Sequence, residues 1–366
     1  MPFIILSIFN KNMSTQSRIN EIDLLRFCAA IMVVIFHFAF RGYAADNMTQ
    51  LDYSILAPAA KYGFLGVQLF FMISGFVIMM TADGSSAKKF IISRAIRLYP
   101  AFWICCSITF LVSLFLGGDI YHVTIKQYLI NMTMLSQYFG IASVDGSYWS
   151  LFIEIQFYAL MLIVILLRKT NKIENIALGW LIITIAAKAL SLFSLREIFI
   201  TEHSAFFISG IVFYLVWKGG ITKKRMLLIL ASMCWAIPRT IKSAHGLGLS
   251  YHTAYDPIVV SVIILLFFIA MFLVSTRNTG VFKSISWPML GALTYPLYLL
   301  HQNVGFIMFN HLYGKANVHL VFWSVIIAML VISYCIHRFV EIPLAKWMKC
   351  KLRRDFVSSE IQRNPS

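Results

Sequence analysis

An arginine and a histidine bracket one apolar run near the start of the chain: Arg26 and His37 enclose FCAAIMVVIF. As a helix, turning ~100° and rising ~1.5 Å per residue, this run brings His37 back to within ~20° of Arg26, about 16 Å further along the axis. Asp23 falls on the same stripe. Ionisable groups are costly in a segment able to cross a bilayer, so they normally face a protein interior or a cavity. A snorkelling arginine would account for Arg26 alone, and an interfacial histidine for His37 alone. Three ionisable groups on one face point instead to a polar line inside a bundle. An imidazole at its end has the chemistry of a general base.

Four further segments carry similar chemistry. Arg94 and Arg97, in KKFIISRAIRLYP, are three residues apart and share a helix face. Guanidinium groups bind phosphate bidentately, which makes the pair a candidate phosphate clamp; ordinary basic charge beside a span is the plain alternative. Glu154 lies inside GSYWSLFIEIQFYALML, with Ser150 and Tyr158 four residues to either side and able to hydrogen-bond it. A structural ion pair with Lys188 is the competing reading of Glu154. His301 lies deep in LTYPLYLLHQN, one turn beyond Tyr298. Arg338 and Glu341, in HRFVEIPLAKW, read as an i,i+3 salt bridge.

The elements that position these groups are membrane helices. The chain has 366 residues, 60% hydrophobic and 13% charged, with mean hydropathy +0.79. No soluble core could bury that apolar surface. Runs long enough to span a bilayer recur near 22–41, 60–81, 98–116, 149–167, 176–195, 204–217, 226–238, 257–275, 286–306 and 320–341. All are read as helices, because backbone in lipid must satisfy its own hydrogen bonds. The seventh is short and weak, broken at Ala236-Ile237-Pro238-Arg239. The expected fold is therefore an all-α integral membrane protein of about ten transmembrane helices.

The net charge is +16. A basic chain can bind nucleic acid, but here the Lys and Arg residues divide about three to one between alternate loops, as the positive-inside rule demands. That split places both termini in the cytoplasm and excludes nucleic acid as a partner. It also sorts the chemistry by depth. Asp23, Arg26, Arg94, Arg97, Arg338 and Glu341 fall at the cytoplasmic level; His37, Glu154 and His301 fall in the outer half. A substrate with a phosphorylated head below and a reactive end above fits this order.

The chain divides into a cytoplasmic N-terminal tail (1–21), one transmembrane domain (22–345) and a basic cytoplasmic tail (346–366). Residues 1–12 are given no role, since Met13 opens a natural cytoplasmic tail. The largest external loop, 117–148, includes KQYLINMTMLSQYFG, which has the character of a surface-lying segment. The six cysteines have no metal-site or disulfide spacing and read as small apolar filler.

Taken together, these motifs resemble the membrane-bound acyltransferase 3 family, whose bacterial members typically O-acetylate surface polysaccharides. The resemblance covers most of the chain. The family's arginine, ten intervening residues and histidine are met by Arg26 and His37. Its Ser-Gly-Phe with a downstream arginine is met by Ser74, Gly75, Phe76 and Arg94. GVQLFFMISGF, WSLFIEIQFY and YLLH follow the family patterns in order. One departure is LTYPLYLLH, with Thr294 and Pro296 where the family usually has an aromatic-Ser-Tyr or Ser-Phe run. These residues also hold no hydrolase-like extracytoplasmic domain of the kind found in some long members, so direct action or hand-off to another chain is expected.

The resemblance implies acyl-CoA, usually acetyl-CoA, as donor substrate, with no permanently bound cofactor and no metal. CoA phosphates would meet Arg26, Arg94 and Arg97, and the pantetheine arm would run up the polar stripe. His37 would be the catalytic base or a transient acyl acceptor, with Glu154 orienting or balancing it and His301 as a further catalytic candidate. The acceptor would be a hydroxyl of a surface glycan or a lipid-linked sugar, and the setting a bacterial inner membrane among lipids. The rival reading is a transporter or flippase of an acyl group or lipid-linked sugar. It is disfavoured because no two halves match with interrupted helices.

Overall fold

Among the described residues the long apolar runs fold as ten long helices, joined by connections that range from tight turns to the loop over 117–148, and no strand occurs. The computed structural model describes residues 19–351 apart from 46 and 349; the expectations for the first twelve residues and for most of the basic C-terminal tail lie outside them. The helices are α1 (Asn20–Phe36), continued by a wider π-helical segment (His37–Ala45); α2 (Gly66–Ala82); α3 (Ala87–Leu116); α4 (Trp149–Leu166); and α5 (Ile173–Ala189). They are followed by α6 (Ser204–Gly219), α7 (Lys223–Ser250), α8 (Pro257–Ser275), α9 (Pro288–Leu312) and α10 (Val318–Ile336), the last extended by a π segment (His337–Glu341).

Among the described residues, seven candidate spans are long and apolar enough to cross a membrane: Asn20–Ala45, Ala57–Ala82, Ala87–Leu116, Gly146–Leu166, Lys223–Ser250, Pro257–Ser275 and Val318–Met348. Of the other three expected positions, α5 and α6 are short, and α9 carries Thr294, His301, Gln302 and Asn303 in its middle. Residues 204–214 of α6 and 296–307 of α9 are buried without interruption, so other helices cover them rather than lipid. The outer helices show the opposite pattern: Phe115, Leu166, Ile182, Leu266, Ile327 and many others expose large apolar side chains. An exposed apolar belt of this extent marks a surface made for the bilayer.

Two boundaries differ from the sequence-based expectation. The seventh span is not broken at Pro238; α7 runs through it for 28 residues. A proline removes one N–H from the ladder, yet a helix in lipid continues because a broken turn would expose more unsatisfied groups. Likewise α3 starts at Ala87, not near 98, capped by the Ser86 hydroxyl, which accepts from Lys89 N at 3.3 Å. Lys88 and Lys89 thus lie on the same helix as Arg94 and Arg97.

The Ser-Gly-Phe motif has a packing role. A Cβ on Gly75 would strike the Phe207 carbonyl oxygen, and one on Gly210 would strike the Met72 carbonyl oxygen, so α2 and α6 touch backbone to backbone. Such small-residue contacts are how helices associate where the hydrophobic effect no longer discriminates. The close approach locks α2, and with it the side chains that α2 turns toward the opposite face. In the loop before α4, a short helix (Ile125–Asn131) opens with a capping box between Thr124 and Gln127 and exposes Ile125 and Leu129.

Candidate active site

Helix α9 is the spine of the site. At its first turn, a side chain on Gly291 would collide with Asp23 of α1, so the two helices are pressed together there. One turn on, the Tyr295 hydroxyl donates to the Leu98 carbonyl at 3.2 Å, and the Arg97 guanidinium sits 5.7 Å from the Tyr295 ring centre. Tyr298 exchanges a 2.6 Å hydrogen bond with Ser150 of α4. His301 then meets His37 of α1, with Nε2 of His301 3.0 Å from Nδ1 of His37. The spine thus joins the arginine level to the histidine level through about six residues, roughly 9 Å of helix.

The histidine pair is enclosed. His301 is fully buried and His37 7% exposed. His37 occupies the junction where α1 passes into its π segment, a feature common at functional sites. Its Nδ1 also lies 2.9 Å from the Val33 carbonyl, and His301 Nδ1 lies 2.8 Å from that of Tyr298 and 3.2 Å from that of Leu297. Phe36 and Phe306 flank the His37 ring, and Phe38 flanks that of His301.

Glu154 does not join the histidines. Its Oε1 accepts from Tyr158 at 2.6 Å and from Ser74 at 2.7 Å. Tyr158 occupies the expected place, but Ser150 turns to Tyr298, and the serine of the Ser-Gly-Phe motif supplies the second bond. The negative charge of Glu154 faces Arg26, and Tyr158 faces both Arg26 and Arg94. Glu154 therefore belongs electrostatically with the arginines. The alternative partner, Lys188, pairs with Glu202, to which Arg196 also donates at 3.1 Å.

The arginines differ in how far they are engaged. Arg94 donates from Nη2 to the hydroxyls of Thr81 at 3.2 Å and Ser93 at 3.1 Å, leaving its buried Nε without a partner. Arg26 has charged neighbours in Arg97, Glu154 and Asp23, and the described residues offer it no hydrogen bond. Arg97 is tied to Glu341 at 2.5 Å. That ion pair corrects the expected Arg338–Glu341 bridge. The π segment places His337 over Glu341 at 2.8 Å, and packing against α3 brings in Arg97, while Arg338 is exposed.

Asp145 was missed by the sequence reading. It is fully buried, accepts from Ser147 N at 2.8 Å and Ser147 Oγ at 2.6 Å, and receives the Asn303 N–H at 2.9 Å. The carboxylate thereby caps the 3-10 turn (Gly146–Tyr148) that leads into α4 and staples it to α9 just beyond His301. Asp-Gly-Ser before an apolar run is a helix-start signature, and that signal could have found it. Among the described residues no group of His, Cys, Asp and Glu has a metal-binding arrangement.

The chain is 29% identical over 163 residues to Nodulation protein 10 of Rhizobium leguminosarum bv. viciae, covering 38% of this chain and 42% of that protein. It is 28% identical over 163 residues to the peptidoglycan O-acetyltransferase OatA of Listeria monocytogenes, covering 39% and 24% respectively. A putative acetyltransferase, ORF330, of Acidianus two-tailed virus is 33% identical over 105 residues, covering 28% of this chain and 30% of its own length. The matches span less than half the length of these relatives. No solved structure gives a significant match. A family model described as an acyltransferase domain matches residues 19–338, nearly the whole chain and every residue of the site except Glu341, and this multi-pass membrane protein therefore belongs to the acyltransferase 3 family of acyl-transferring enzymes.

Proposed function

We propose that this protein is an O-acetyltransferase of the bacterial inner membrane, moving an acetyl group from cytoplasmic acetyl-CoA to a hydroxyl of a surface glycan or its lipid-linked precursor. One observation carries the reading. Two guanidinium groups, Arg94 with a buried Nε that has no partner and Arg26 within the field of Glu154, lie at one level of the bundle, and a buried histidine pair lies at another. Arg26 and Arg94 hold the donor's phosphates; Arg97, engaged by Glu341, borders that site. Glu154 offsets their charge. The printed name of OatA, a peptidoglycan O-acetyltransferase, supports a cell-wall glycan as the class of acceptor.

The reaction needs one base. His37 takes the proton of the acceptor hydroxyl as its oxygen attacks the thioester carbonyl. The carbon–sulfur bond breaks, and the imidazolium returns the proton to the CoA thiolate. A thioester is already activated, so neither redox chemistry nor an added nucleophile is required. Purified full-length protein in nanodiscs, given labelled acetyl-CoA and glycan fragments, is expected to form an acetyl ester and release free CoA thiol. Movement of label across the membrane without ester formation would instead establish a transporter.

The same reading sets the topology at ten spans with both ends in the cytoplasm. Reporter fusions at Lys88–Lys89 and Lys223–Lys224 are expected to read cytoplasmic, and one beside Asp145 external. The reverse signal at any of the three would place the arginines on the wrong side for a cytoplasmic donor.

A further inference from the structure

The two imidazoles define each other's protons. A carbonyl oxygen only accepts hydrogen bonds, so His301 Nδ1, facing the Tyr298 and Leu297 carbonyls, carries a hydrogen. The neutral ring then has a bare lone pair at Nε2. That atom points at His37 Nδ1, whose other neighbour is the Val33 carbonyl. Both neighbours of His37 Nδ1 are therefore acceptors, and His37 Nδ1 carries a hydrogen as well. What remains is His37 Nε2, unprotonated in the neutral ring and directed away from the pair.

We infer that His301 is a positioning residue for His37: its Nε2 shares the one His37 Nδ1–H with the Val33 carbonyl, helps to hold His37 in the tautomer whose Nε2 is the base, and steadies the imidazolium when the proton arrives. This deepens the proposed function and rests on its assignment of His37. The arrangement has the logic of a base oriented by a third group, with a neutral imidazole where a carboxylate often stands. The carboxylates nearby are committed elsewhere, Glu154 to Ser74 and Tyr158, and Asp145 to Ser147 and Asn303.

The surroundings hold His301 still. The Tyr148 hydroxyl donates to the Leu299 carbonyl at 3.2 Å, and the Asn303 N–H donates to Asp145 at 2.9 Å, so the backbone on both sides of His301 is tied to the segment that leads into α4. Its ring lies 4.8 Å from that of His37 and 5.6 Å from that of Tyr298. A group needed only as core filler would not require two imidazoles in hydrogen-bond register at the end of a polar stripe.

The test exploits the two ring positions separately. An Asn at 301 can donate to the Tyr298 carbonyl as Nδ1 does, but its amide ends short of His37. A Gln at 301 can bring its amide oxygen to the place of Nε2. Transfer from acetyl-CoA is measured for His301→Asn, His301→Gln, His301→Leu and His37→Ala in nanodiscs, with melting temperatures as the folding control. His301→Asn and His301→Leu are expected to lose roughly 10²-fold or more in kcat, within the range for a misoriented or weakened base, at unchanged KM for acetyl-CoA. His301→Gln is expected to recover kcat to within about tenfold of the wild type. If Asn recovers activity and Gln does not, the bond to Tyr298 is what matters and the inference fails. If His301→Leu is fully active while His37→Ala is dead, the inference fails and the proposed function stands. If His37→Ala is also active, the proposed function fails first and takes the inference with it.

Discussion

His37→Ala is expected to abolish acetyl transfer while leaving CoA binding intact. Loss of a general base typically costs about 10²–10⁴-fold in rate. The binding half of the expectation follows from distance. Arg26 lies eleven residues down α1, about 16 Å away along the axis, and Arg94 is reached through Thr81 at the far end of α2. Removing an imidazole at one end leaves the phosphate-binding end untouched. Calorimetric titration with CoA and a transfer assay on the same preparation separate the two effects. A variant that binds CoA normally and still turns over at the wild-type rate would remove His37 from the chemistry. One that fails to bind CoA would make the residue structural instead.

Arg26→Ala and Arg94→Ala should do the opposite, weakening donor affinity far more than they slow turnover at saturating donor. A hydrogen bond to a charged group contributes about 1.5–3 kcal/mol, so each substitution is expected to raise the CoA dissociation constant roughly 10- to 100-fold. Arg94→Lys should rescue only part of this, since an ammonium restores charge without the planar fork that grips a phosphate. Arg97→Ala provides the internal contrast. Its partner Glu341 is 6% exposed, and stripping the guanidinium leaves a buried carboxylate with His337 alone. The expected defect there is a lower melting temperature, because the buried carboxylate loses its guanidinium partner. CoA affinities unchanged in both Arg26→Ala and Arg94→Ala, with folding intact, would rule out the clamp.

Much of this protein was legible in its sequence because a membrane reduces the choices open to a chain. Backbone in lipid must hydrogen-bond to itself, so apolar runs had to be helices, and helices appear at all ten places where those runs fall. The α-helical period put Asp23, Arg26 and His37 on one stripe, and α1 is α-helical as far as Phe36, where that arithmetic stops. Glu154 and Tyr158, one turn apart, bond as their spacing implies. In each case a local rule operates within one helix.

Partnerships between helices were decided by the tertiary structure. The meeting of His301 with His37 depends on how α9 lies against α1, and no spacing within either segment encodes it. Ser74, not Ser150, bonds Glu154 because Gly75 and Gly210 let α2 seat against α6 and fix the rotation of α2. Glu341 chose Arg97 over Arg338, since a π segment displaced the i,i+3 neighbour while α3 offered a nearer guanidinium. The physical reason is common to all three. Sequence periodicity sets the direction of a side chain relative to its own helix axis, but the rotation of one helix against another is set by the packing of small residues and by buried polar groups finding partners, which are properties of the assembled bundle.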